Sequence, residues 1–123
     1  MHIELKDYKF FCFNGKVKYF KIDFNRFSNH KANYYDSSGN LQHFGEKNCP
    51  PDYDKELPIP TNLKDMEELA EKLADSAPFV RVDFYNVKSK IYFGEITFFP
   101  ASGFGPFTEK MWDEKLGELL SIS

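Results

Sequence analysis

The dipeptide Asn14-Gly15 stands between two aromatic runs, Asp7-Tyr-Lys-Phe-Phe-Cys-Phe13 and Lys16-Val-Lys-Tyr-Phe-Lys-Ile-Asp-Phe24. Asn-Gly accepts the positive φ angles of a tight turn whose twist matches that of the flanking strands, so it is the strongest short signal for a β-hairpin. A two-residue turn pairs Phe13 with Lys16 and Phe11 with Lys18. One face then carries Phe11, Phe13, Phe20, Ile22 and Phe24, and the other Phe10, Cys12, Val17 and Tyr19. Both faces are largely apolar, so both require a cover. Fourteen Phe, seven Tyr and one Trp make the chain 18% aromatic. Aromatics bring much buried area per residue, which suits a small domain with a Phe-rich core. The same pattern fits a face that further protein, or a second copy, covers.

The rest of the chain supplies the other elements of an α+β fold, an antiparallel sheet with helices packed on it. Residues 32–36 read as a strand, 37–40 as a turn and 41–44 as a brief return. Residues 45–61 hold Pro50, Pro51, Pro58 and Pro60 and read as an ordered extended loop. Over 62–75, Leu63, Met66, Leu69, Ala70, Leu73 and Ala74 follow the helical period, with Glu67, Glu68 and Glu71 outside and Asn62 as candidate cap. Residues 79–85 and 91–98 read as a second hairpin around a five-residue loop. A loop over 100–106 leads to a closing helix at 109–121, with Thr108 as candidate cap.

Length and charge bound the function. A chain of 123 residues sets a prior of one domain. Sixteen basic against nineteen acidic side chains give a formal charge of −3, which argues against a broad basic face for nucleic acid. Two cysteines, Cys12 and Cys49, make no disulfide framework, and a reduced, cytoplasmic compartment is the simpler expectation. No apolar run approaches the roughly 18 residues of a membrane span, and the start Met1-His2-Ile3-Glu4 does not read as a signal peptide.

The second hairpin carries the chemistry. Val80, Val82 and Phe84 share one face of its first strand, while Phe79, Arg81 and Asp83 share the other. Pairing Tyr85 with Ile91, or shifting that register by two, sets odd residues against odd. Arg81, Asp83, Glu95 and Thr97 then converge on one face, with opposed residues about 5 Å apart. Close carboxylates repel unless a proton or cation sits between them. Hard oxygen ligands suit magnesium, and a guanidinium can grip phosphate with two parallel hydrogen bonds. A solvated face with an Arg–Glu ion pair is the competing reading of the same pattern.

Arg81-Val-Asp83-Phe-Tyr followed by Ile91-Tyr-Phe-Gly-Glu95-Ile-Thr97-Phe-Phe-Pro100-Ala-Ser-Gly103-Phe resembles the closing strands of an ATP-grasp enzyme. The resemblance is closer to the TupA-like branch, named for teichuronopeptide synthesis. It extends through residues 7–15, Phe27-Ser-Asn-His30-Lys31, Asn33-Tyr-Tyr-Asp36 and Trp112-Asp113 to Lys115-Leu-Gly117. It implies that Asp83 and Glu95 hold the magnesium of ATP. Thr97 stands where the superfamily has an asparagine ligand, and Arg81 faces the transferred phosphate. Ala32 occupies a place where the family often has arginine. Lys9 and Lys21, on neighbouring strands, and His30 with Lys31 are the candidate nucleotide-cleft residues. The resemblance further implies only the C-terminal part of the fold, and hence as partner either a missing N-terminal half or, through the aromatic hairpin, a second copy. Its implied activity, in the complete enzyme, is ATP-dependent joining of a carboxylate to an amine during cell-envelope polymer assembly, and this chain alone is expected to bind Mg-ATP only weakly and not to turn it over. The alternative is a non-catalytic remnant or homo-oligomeric interaction module. His2, His30 and His43 are too scattered for a zinc site, and Cys49 lacks the partners of a nucleophile.

Overall fold

The computed structural model describes residues 6–24, 29–45, 50–55, 57–98 and 121–122, the last two by backbone alone. Strands β1 (Asp7–Phe13) and β2 (Lys16–Phe24) form the first hairpin. β3 (Lys31–Asp36) follows, then the short β4 (Phe44–Gly45) and helix α1 (Leu63–Ala74). β5 (Phe79–Val87) and β6 (Lys90–Phe98) form the second hairpin. β7 (Ser121–Ile122) pairs with β4 in a separate two-stranded ladder. The main sheet has the order β3-β2-β1-β5-β6, antiparallel throughout. The result is an α+β fold with a five-stranded antiparallel sheet and, among the described residues, one helix packed on it. The helix expected over 109–121 lies outside the described residues except at Ser121, which opens β7.

The Asn14-Gly15 turn forms as its chemistry demands, with φ of 49° and 81°. Its tip docks against the end of α1: Asn14 N–H donates to the Pro78 carbonyl at 3.0 Å. A Cβ on Gly15 would lie 2.3 Å from the Asp75 carbonyl oxygen, so only glycine fits.

The register departs from the expected one next to this turn. Phe13 pairs with Lys16 and Cys12 with Val17, but Phe11 pairs with Tyr19, because a bulge admits Lys18 as an extra residue. That single residue reverses the parity of everything beyond it. Phe10 and Phe20, not Phe11 and Phe20, therefore share the helix-bearing face. Their rings stack at 5.3 Å, and Phe20 stacks on Tyr35 at 5.2 Å. Phe11 turns to the opposite face, against Tyr34 at 5.8 Å and Phe79 at 6.4 Å.

The core lies between this sheet face and α1. It joins Tyr8, Phe10, Cys12, Phe20, Ile22, Val80, Val82 and Phe84 to Met66, Ala70 and Ala74 of the helix. Small Ala70 and Ala74 let the helix approach the sheet closely, while Leu69 and Leu73 are about half exposed rather than core. Two glutamates expected outside turn inward: Glu71 Oε2 accepts from Val17 N–H at 2.9 Å, and Glu67 Oε2 is buried. Asn62 does not cap the helix. Its amide instead donates to the Ser89 carbonyl at 3.2 Å and accepts from Asn86 Nδ2 at 2.7 Å, tying the helix start to the second hairpin. On the other flank, Asn33 and Asp52 exchange hydrogen bonds of 2.8 and 2.9 Å, pinning the Pro-rich loop to β3.

β1 and β2 thus sit inside the sheet, and Phe10, Phe11, Phe20, Ile22 and Phe24 are all buried within the chain. The first hairpin offers no uncovered aromatic face to a second copy, contrary to expectation. Among the described residues the exposed large apolar side chains are Leu69 and Leu73 on α1 and Tyr92, Phe93 and Phe98 on edge strand β6.

Candidate functional site

The second hairpin closes more tightly than expected. Lys88 and Ser89, both at positive φ, form a two-residue turn that pairs Val87 with Lys90, in place of the five-residue loop. That register alone would set Asp83 opposite Gly94. A bulge at Gly94 restores the odd-to-odd pairing, so Asp83 opposes Glu95 and Arg81 opposes Thr97. The convergence of these four positions on one face thus holds, in the register shifted by two. A Cβ on Gly94 would lie 3.1 Å from the Asp83 carbonyl oxygen and 3.3 Å from the Tyr85 ring, so a side chain would crowd the bulge.

Strand alternation lays a charged row across this face. Tyr34, Lys21, Lys9, Asp83 and Glu95 are successive partners on β3, β2, β1, β5 and β6. Arg81 grips Asp83 with two parallel bonds, Nε to Oδ1 at 2.9 Å and Nη2 to Oδ2 at 3.0 Å. The same Nη2 reaches Glu95 Oε1 at 3.3 Å. Lys9 Nζ donates to Asp83 Oδ2 at 3.1 Å and lies 3.7 Å from Asp7 Oδ2. The Asp83 side chain is only 6% exposed, against 65% for Glu95. A carboxylate so buried is stable only with its charge answered, and here a guanidinium and an ammonium answer it. Asp7, Lys9, Asp83, Tyr85, Phe93, Gly94 and Glu95 line a cleft of about 450 Å3.

A second charged cluster continues on β2. Lys21 Nζ lies 3.8 Å from Asp23 Oδ1 and 5.9 Å above the Tyr34 ring. His30 Nε2 is 3.1 Å from Asp23 Oδ1, and a carboxylate partner selects the tautomer with Nε2 protonated. Lys9, Lys21 and His30 therefore join the face of Asp83. Lys31 does not: it pairs with Phe24, and alternation along β3 puts Ala32, Tyr34 and Asp36 on the site face instead. Asp23 escaped the sequence reading although the period of two from Lys21 marks it. The Lys18 bulge hid that Asp23 stands opposite Asp7.

Asp83 and Glu95 are hard oxygen donors on adjacent strands facing one cleft, a donor set that magnesium accepts. Among the described residues no group of three or more His, Cys, Asp or Glu side chains is arranged to hold a metal. By donor chemistry alone the pair would supply two oxygen ligands, and phosphate or water would have to supply the rest. Arg81 and Lys9 take three of the roughly four lone-pair sites of Asp83, one on Oδ1 and two on Oδ2, so an ion would use the second site of Oδ1 or displace one of these donors. No helix among the described residues is long and apolar enough to cross a membrane.

No curated protein and no solved structure matches the chain. The TupA-like ATPgrasp family matches it over residues 1–121 of 123. That span overturns the expectation of a resemblance confined to the C-terminal part of the fold, since it takes in almost every residue. With the match running from the first strand through the second hairpin and beyond it, the chain belongs to the TupA-like ATP-grasp family.

Proposed function

We propose that the chain serves ATP-dependent joining of a carboxylate to an amine in cell-envelope polymer assembly. The observation that carries this reading is the Arg81 fork on buried Asp83, with Glu95 and Lys9 closing around the same cleft. Such a site matches the task of handling a phosphoryl group, where positioning and charge stabilisation dominate. Asp83 and Glu95 hold magnesium, with the Thr97 hydroxyl, opposite Arg81, as a weaker third donor. Bound magnesium offsets the charge of the phosphates. Arg81 stabilises charge developing on the transferred group, and Lys9 and Lys21 give the cleft its positive side. His30 lies at the Asp23 end of the same face, and Lys31, on the other face, acts on nucleotide only from beyond the strand end. A carboxylate oxygen first bonds to the γ-phosphorus of ATP as the bond to ADP breaks; the free amine nitrogen then bonds to the acyl carbon, the carbon–oxygen bond to phosphate breaks, and the proton shed by nitrogen passes to the departing phosphate or to water.

The test is release of inorganic phosphate from ATP with magnesium and a panel of amines and carboxylates. Asp83→Asn and Glu95→Gln should each lower it by at least about a hundredfold, as loss of a charge-stabilising group at a reacting phosphate does. Release that is untouched by both substitutions overturns the assignment.

The exposed aromatics of β6 favour a second reading, an interaction module. Sedimentation decides it: Phe93→Ser and Phe98→Ser should leave a monomer a monomer if the ligase reading stands alone, and should dissociate an assembly if β6 forms a contact.

A further inference from the structure

Asp83 and Glu95 face each other across β5 and β6. Directly opposed Cβ atoms are about 5 Å apart, and carboxylates that close repel unless a cation lies between them. The fold already supplies that cation. Arg81 Nη2 is 3.0 Å from Asp83 Oδ2 and 3.3 Å from Glu95 Oε1, so one nitrogen bridges the pair, while Nε holds Asp83 Oδ1 at 2.9 Å. Lys9 has a different place: it reaches Asp83 Oδ2 at 3.1 Å. Among the described residues, Glu95 has Arg81 as its one basic partner. The Arg81 side chain is 23% exposed and the Asp83 side chain 6%. The guanidinium therefore has a way out to solvent. The buried carboxylate stays behind and is still answered by Lys9.

We propose that Arg81 is the resident counter-cation of the Asp83–Glu95 pair, and that a divalent ion bridges the two carboxylates only as Arg81 leaves them. Magnesium takes its oxygens at about 2.0–2.1 Å. An ion joined to Asp83 Oδ2 and Glu95 Oε1 would stand where Nη2 stands, and a dication and a guanidinium repel each other there. The exchange frees the fork of Arg81 for phosphate, which accepts two parallel N–H bonds as a carboxylate does. Arg81 is thus withheld from phosphate until the metal is in place. The two events are linked: whatever draws Arg81 away tightens the metal, and the metal favours the departure of Arg81 by the same factor. Delivery of Arg81 to a transferred phosphate rests on the ligase reading, whereas its competition with a divalent ion does not.

The experiment uses the whole chain with nitrogen-15 in its arginines, Arg26 and Arg81, and the Arg81 Nε–H resonance is assigned by its loss in Arg81→Lys. Magnesium chloride is titrated at constant ionic strength, balanced with potassium chloride, and its affinity is read separately by calorimetry. The Arg81 Nε–H resonance should move towards that of a solvated arginine, exchange faster with water, and saturate together with the metal. Arg81→Met should bind magnesium at least about tenfold more tightly than the native chain, the gain from removing a charge-assisted competitor. Arg81→Lys keeps the charge but cannot form the fork, and should also bind more tightly than the native chain. Equal affinity in Arg81→Lys and the native chain would assign the effect to net charge and overturn the proposal. Saturation with Nε–H unmoved would place the ion on spare lone pairs beside an intact fork, and overturns it too. If Arg81→Met does not fold, the resonance of the native chain decides. Absence of magnesium binding in the native chain and both variants removes the proposal together with the metal assignment of Asp83 and Glu95. Release of Arg81 by magnesium without ATP-dependent phosphate release would keep the proposal and remove the ligase reading.

Discussion

Replacing Glu67 by Gln isolates one electrostatic cost that the fold carries. The Glu67 carboxyl sits on the sheet side of α1, with Oε2 buried and no hydrogen-bond partner. Glu71 follows one turn later, itself engaged with Val17 N–H and, at 3.9 Å, with Lys16. Burial first, then the charges of Glu71 and Asp36, push the Glu67 carboxyl up from its usual 4.5 to about 7. The folded state therefore binds this proton more tightly than the unfolded state. Its stabilising contribution is complete below pH 4.5 and is lost as pH rises through about 7. At about 1.4 kcal/mol per pH unit, a shift of that size would be worth roughly 3 kcal/mol. The side chain is only partly buried, and solvent screening brings the expected value to about 1–2 kcal/mol. Glu67→Gln should thus match the native chain at pH 5 and exceed it by about 1–2 kcal/mol at pH 8 in urea titrations, or roughly 3–8 °C in midpoint. A stability difference that is the same at both pH values would show that ionisation of Glu67 is not its source.

Other substitutions test the geometry in turn. Arg81→Met leaves buried Asp83 with Lys9 alone and should cost about 3 kcal/mol in a urea midpoint, with Arg81→Lys recovering only part because an ammonium cannot form the fork; a neutral result refutes the account of Asp83. Gly15→Ala faces both a φ of 81° and a contact at 2.3 Å, and should lose more than about 2 kcal/mol. Cys12 is buried and free, and burial, with Glu71 and Glu67 nearby, pushes its thiol up to about 12. It should resist a disulfide reagent at pH 8 until urea unfolds the chain, and rapid labelling of the native protein would contradict its placement.

The elements were legible in the sequence where a local rule decides them. Asn14-Gly15 fixes a turn because few other pairs accept its backbone, and both strands beside it end where expected, at Phe13 and Phe24. Alternation around a five-residue loop led to the expected convergence of Arg81, Asp83 and Glu95, but with the two-residue turn that forms it depends on the bulge at Gly94. What escaped was set by single extra residues. Lys18 and Gly94 each shift a register by one; nothing in lysine's propensity marks the first, whereas a glycine inside a strand is itself a bulge signal that went unread. The first shift hid the Asp7–Asp23 pair, and the second was masked because it returned the parity already expected. Asn62 escaped for another reason: a cap and a cross-link to the second hairpin draw on the same amide, and tertiary contact with Asn86 and Ser89 prevails.

The pairing of β1 with β5 has a kinetic consequence. Lys9 and Asp83 are 74 residues apart in sequence, yet they touch at the centre of the sheet. Each hairpin closes locally on the microsecond scale, but the seam between them must wait for a long loop to close. Until then Lys9 and Asp83 belong to separate, partly hydrated ribbons. Their attraction acts across the gap before any apolar contact forms, and salt screens it. Folding should therefore slow as ionic strength rises, and Lys9→Met should remove most of that dependence while leaving the speed of each hairpin untouched.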